Sequence, residues 1–144
     1  MLEPEPLPEG VSLRVWSLSA PLGTPPVFES GGKWLHPLFE LTEFLGAHPE
    51  IDREDLILRD RIIGRAAAFL MIGLGIKHVG GQLVSQRALS LFASRGWKPF
   101  AEAIVDKISC QTEDLLAEVN DFDEAWKLLS ERRRRALENQ RLGS

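Results

Sequence analysis

The stretch from Asp55 to Ser85 limits the fold more than any other part of the chain. It reads DLILRD, then a run of apolar and small residues closing at Gly75, then HVGGQLVS. A short apolar segment bounded by charges, a longer segment with helical spacing and a second strand-like segment make a strand–helix–strand unit. Within Arg61 to Leu74, residues Ile62, Ala66, Phe69, Leu70 and Gly73 follow the helical period. Ala66, Ala67 and Ala68 are strong helix formers whose small side chains permit close approach to a sheet. Two strands joined through such a helix pair in parallel with a right-handed crossover.

The alternation continues in both directions. Val11 to Leu18 alternates apolar and polar residues, which is the strand period, and Pro21, Gly23, Pro25 and Pro26 mark a loop. Val27 to Glu29 is expected to pair back on the first strand as a hairpin. A helix is expected over about Leu35 to Leu45, with Leu35, Leu38, Leu41, Thr42 and Leu45 on one face, Pro37 in the first turn and Gly46 at the end. Beyond Ser85 the pattern predicts a helix over Gln86 to Arg95, a strand over Trp97 to Val105, a helix over Ser109 to Val119 and a long helix over Asp121 to Leu142. The fold class is therefore α/β, with an N-terminal hairpin, a mostly parallel sheet carrying helices on both faces, and an added C-terminal helix. Three parts are expected: a proline- and glutamate-rich tail, 1–10, an α/β domain, 11–119, and a helical extension, 120–144.

Composition narrows the function classes. The 144 residues suit one domain, and 44% hydrophobic with 26% charged residues is close to the globular average. A net charge of −4 argues against a nucleic-acid partner, which calls for excess Lys and Arg. The single cysteine, Cys110, leaves no disulfide within one copy and makes the cytoplasm the default compartment. The acidic, proline-rich start lacks the pattern of a secretory leader. The longest apolar stretch, Ala66 to Ile76, is too short to span a bilayer, so no membrane is expected.

Chemistry-bearing residues gather at two expected helix starts. Each start presents amide donors and partial positive charge. Ser30, Gly31, Gly32 and Lys33, followed by His36, make a turn whose backbone can approach an anion. Asp60, Arg61 and Arg65 can read a polar ligand, and Gly64 allows a ligand or a neighbouring backbone to come close. The plainer alternative is a turn, an N-cap at Asp60 and a packing glycine at Gly64. Cys110, at an expected helix start, is a candidate nucleophile or a buried apolar thiol. Asp60 and Cys110 are the candidate catalytic residues. Arg132 to Arg135 spread around the last helix, and Phe122, Trp126 and Leu129 make a stripe that docks on the domain or on a partner.

The segments SGGKWLHPLFEL, LILRDRIIGRAAAFLMIGLGIKHVGGQLVS and ALSLFASRGWKPFAEAIVDKI resemble an uncharacterised bacterial and archaeal family, a domain of unknown function. Asp60 to Ala68 matches its Asp-basic-apolar-apolar-Gly-basic-Ala-Ala-Ala hallmark, and Gly31, Gly32, Pro37 and Leu38 match its glycine turn and Pro-Leu pair. The resemblance, over about residues 11–115, implies a three-layer cytidine-deaminase-like sheet. The family's closing Cys-Pro-Met-Glu-like segment reads Cys110-Gln111-Thr112-Glu113 here.

A zinc deaminase takes His-x-Glu at one helix start and Pro-Cys-x-x-Cys at the next. In this chain the first place holds His36 followed by Pro37 and Leu38, and the second, Asp60 to Ala68, has no cysteine. With His48 and His78 scattered elsewhere, the ligand count argues against zinc, and no metal or cofactor is expected. The expectation is a zinc-less, deaminase-like domain that binds a small polar ligand, nucleotide-like ones among the candidates, in a binding or regulatory role. The alternatives are a metal-independent enzyme using Cys110 or Asp60, and an interaction protein acting through its C-terminal helix, with a homodimer among its forms.

Overall fold

The computed structural model describes residues 7–21, 23–33, 35–106 and 122–142, with side chains in the last helix over 123–135. Five strands form one sheet: β1 Leu13–Ser17, β2 Phe28–Ser30, β3 Leu56–Ile63, β4 His78–Ser85 and β5 Phe100–Val105. Their order is β2-β1-β3-β4-β5. Strand β1 runs antiparallel to both β2 and β3, whereas β3, β4 and β5 are parallel. Four strands thus point one way and β1 the other. The expected hairpin and the parallel unit are both present, within one mixed sheet.

Among the described residues the helices are α1 His36–Ala47, α2 Arg65–Leu74, α3 Gln86–Ser94 and α4 Phe122–Leu142. The crossovers β2-α1-β3, β3-α2-β4 and β4-α3-β5 all step the same way across the sheet, so right-handed connections set α1, α2 and α3 side by side. Helix α2 touches α1, α3 and α4, and this explains its composition. Ala66 through Met71 are all buried, so no polar face is needed. Leu13, Val15, Leu58, Ile63 and Val84 meet α2 and its neighbours in one core. Each large side chain there contributes about 1.5–3 kcal/mol through burial.

Local signals set the ends. Gly75 closes α2 in the left-handed region, at φ 78°, and its N–H reaches the carbonyls of Met71 and Ile72. Ser85, fully buried, caps α3 by accepting the Ala88 N–H at 3.0 Å. Asp55 clips the start of β3 to the end of β1. Its carboxylate takes the Ser17 hydroxyl at 2.6 Å and the Ser19 hydroxyl at 2.7 Å. Those bonds hold its pKa below the usual carboxylate range.

One boundary differs from expectation. The helical reading of Arg61 to Leu74 starts too early: β3 continues to Ile63, and α2 starts at Arg65. The β-branched pair Ile62-Ile63 finds parallel partners in Leu83 and Val84, and that pairing overrides the helical period. Gly64 is therefore the extended N-cap of α2 and does not sit in the helix interior. Asp60 lies within β3 and does not cap α2, which has no side-chain cap. The expected helix over Ser109 to Val119, with Cys110, lies outside the described residues.

Candidate functional site

Strand register gathers the residues singled out in the sequence. Ser30 pairs with Leu13, Leu13 with Asp60, Asp60 with Gly81, and Gly81 with Ala101. Ser30 and Asp60 thus stand in one row, two strands or about 10 Å apart. Ser12 ties the two sides together. Its N–H donates to the Ser30 carbonyl at 2.9 Å, its hydroxyl to the Gly32 carbonyl at 2.7 Å, and its carbonyl accepts the Arg61 N–H at 3.1 Å. This is the carboxyl end of β2 and β3, the end at which open α/β sheets hold ligands.

Ser30 is buried and links the turn to α1. Its hydroxyl accepts the Gly32 N–H at 3.1 Å and donates to Glu40 Oε2 at 3.2 Å. Gly32 is hemmed in, because a Cβ there would stand 3.3–3.4 Å from Ser30 Oγ, Glu40 Oε1 and Pro37 Cδ. A Cβ on Gly31 would run into the Gly10 carbonyl oxygen. Packing, and not positive φ, thus requires glycine at 31, whereas at 32 a small shift of the Ser30 and Glu40 side chains would admit a Cβ. Helix α1 offers little to an anion: the His36 N–H bonds Lys33, the Leu38 and Phe39 N–H groups bond Leu35, and Pro37 has none. With Glu40 alongside, this turn favours a ligand's hydrogen-bond donors over a phosphate. Lys33 is exposed, and His36 is half-buried.

Asp60 has the most perturbed environment of the row. Burial pushes its carboxyl up to about 7, opposed by hydrogen bonds from the Arg61 and Ile62 backbone. At neutral pH it is divided between acid and carboxylate, so it can donate as well as accept. The residue itself stays half-buried, so the row reaches solvent. Arg61, expected to read a ligand, is instead a staple: it donates to the Val11 carbonyl at 2.8 Å and the Pro8 carbonyl at 2.7 Å. Arg65 is 7% exposed, with its guanidinium 5.3 Å from the Phe69 ring centre. The candidate site therefore consists of Ser30 and Asp60 of the row and Glu40 of α1, which holds the Ser30 hydroxyl, with Gly31, Gly32 and Gly64 shaping the backbone and both arginines held within the protein.

Two functional-type residues were missed in the sequence. Glu40 shares α1 with His36 and Pro37, and only its place one turn on could have flagged it. Arg59 is 2% exposed and reaches Glu102 Oε1 on β5 at 2.8 Å, with Gly80 as its register partner on the intervening strand. A charge inside the apolar DLILRD run was its visible signal. Among the described residues no group of three or more His, Cys, Asp or Glu is placed to hold a metal ion. Among them, too, no helix is long and apolar enough to cross a membrane.

Residues 35–132 match the family model described as TM1506, a domain of unknown function (DUF1893). The fold is similar to the crystal structure of a DUF1893 family protein, TM1506, from Thermotoga maritima. The TM-score is 0.72 at 22% identity, over 86% of this chain and 82% of that one. That likeness carries the fold alone: a mixed five-stranded sheet with helices, in the three-layer α/β class. A search of curated proteins gave no match.

Proposed function

This chain belongs to the TM1506 family, a domain of unknown function (DUF1893), and from that premise we propose that it binds a small polar ligand at the carboxyl end of β2 and β3. The row Ser30–Leu13–Asp60 carries the reading, because it sets the turn and the buried carboxyl side by side across one strand. The groups there are a hydroxyl and two carboxyls, so recognition runs through the ligand's amide or amine donors, as on the edge of a nucleobase. The anion expected at the glycine turn drops out of the reading, since Glu40 stands beside that turn. The domain acts in the cytoplasm in a binding or regulatory role on a zinc-less, deaminase-like scaffold.

A thermal-shift screen of bases, nucleosides and small amides tests this on wild type and Asp60→Ala. A stabilising compound is expected for wild type, with its shift lost in the variant. No stabiliser in a broad panel, or an equal shift in Asp60→Ala, overturns the reading.

One observation favours a second reading. A carboxyl poised near 7 suits proton transfer at neutral pH, so Asp60 is also a general acid or base candidate for a metal-independent reaction. The interaction role of the last helix lacks such support. Trp126 packs on Phe39 at 5.4 Å, and Ala125 and Leu129 are fully buried, so Trp126 and Leu129 of the stripe are used within the domain.

A further inference from the structure

Between them, α1, α2 and α4 leave two adjoining cavities of about 290 and 230 Å³ that share Thr42 and Trp126. The larger has an aromatic floor, in which the Phe39 and Trp126 rings lie 5.4 Å apart and tilted by 51°. Arg133 lines this cavity, with its guanidinium 4.9 Å from the Phe39 ring centre. Stacking fixes that plane while leaving its edges to polar partners. The ion pair it has is weak: Glu43 Oε1 stands 3.6 Å from Nη2, and the Glu43 side chain is 70% exposed. Arg133 Nε makes no hydrogen bond. A pre-oriented planar cation over an aromatic floor is a fork for a carboxylate attached to a ring. An uncharged apolar ligand would leave the guanidinium unmatched. A polyphosphate would meet Glu43 at the rim and gain nothing from the rings.

We propose that the groove between α1 and α4 binds a small planar aromatic carboxylate, with its ring against Trp126 and its carboxylate on Arg133. The cavity volume suits a one- or two-ring molecule. Glu43 is then a competitor for Arg133, and the ligand displaces it.

The test follows the Trp126 indole N–H by NMR while the full chain is titrated with indole-3-carboxylate and, separately, with neutral indole-3-carboxamide. A saturable shift is expected with the acid, and binding about tenfold weaker for the amide, and for the acid with Arg133→Met. Glu43→Gln should tighten the acid several-fold. Arg135→Met, an exposed site paired with Glu131, and Asp60→Asn should leave it unchanged. Equal binding of acid and amide, full affinity in Arg133→Met, no tightening in Glu43→Gln, or no saturable shift overturns the proposal. Because Asp60→Asn is silent here, failure in this groove is separate from failure at the Asp60 row.

Discussion

At Asp60 the surroundings set the charge, and stability should show it. Its folded pKa of about 7 lies above the ordinary aspartate value of 3.8, so between these the folded state holds a proton that the unfolded chain has released. This contribution is fully present below 3.8, and it is lost as pH rises through 7. Asp60→Asn removes it. The stability of wild type relative to the Asn variant should fall by about 2 kcal/mol between pH 5 and 7.5, measured by urea unfolding. Parallel pH curves for the two proteins would show that the carboxyl is solvated like any surface aspartate. Asp55 lies at the opposite pole, since exposed hydroxyl donors keep it ionised.

The strands β3 and β4 depart from simple alternation where they pass this carboxyl. Leu56 and Leu58 are buried, yet Ile62, of the same parity along β3, is 51% exposed while Ile63 is fully buried. A Cβ built on Gly81 would stand 2.6 Å from Val84 Cγ2 and 2.9 Å from Ile63 Cδ1. Residues three apart in a strand meet in this way only where the two-residue period slips. Gly81 is thus needed for the close approach, and its ordinary φ has no part in it. Gly81→Ala should cost about 1–3 kcal/mol through overpacking, seen as a lower thermal midpoint. An unchanged midpoint would mean that Val84 and Ile63 turn aside freely. In the next element, Ser85 gives α3 a buried cap within the strand–helix junction itself.

Among the described residues, the four helices stabilise one another through α2, which the sheet alone would leave half bare. Helix α4 supplies the remaining cover, with Ala125 and Leu129 fully buried and Trp126 against Phe39. The family match runs to residue 132, into this helix. Leu129→Ala should therefore destabilise the entire domain by about 2–5 kcal/mol in a single cooperative transition. A loss confined to the far-ultraviolet helix signal, with the core transition untouched, would mean that α4 is an appendage.

Much of the architecture was legible because its causes are local. Alternating apolar residues in LRVWS, helical spacing in α1 and α3, and glycines after α2 and α3 each act within a few positions, so order and type of element follow from the chain alone. The end of β3 was not legible, because Ile62 and Ile63 satisfy a helical period as well as a strand. Only their pairing with Leu83 and Val84 breaks the tie. Ser30 and Asp60 were both visible as candidates, yet their shared row depends on the register of β1, which no local signal carries. The partners of Arg61, Arg59 and Trp126 come from segments remote in sequence, so whether each side chain faces a ligand, a carbonyl or a core was settled when the packed fold brought them together.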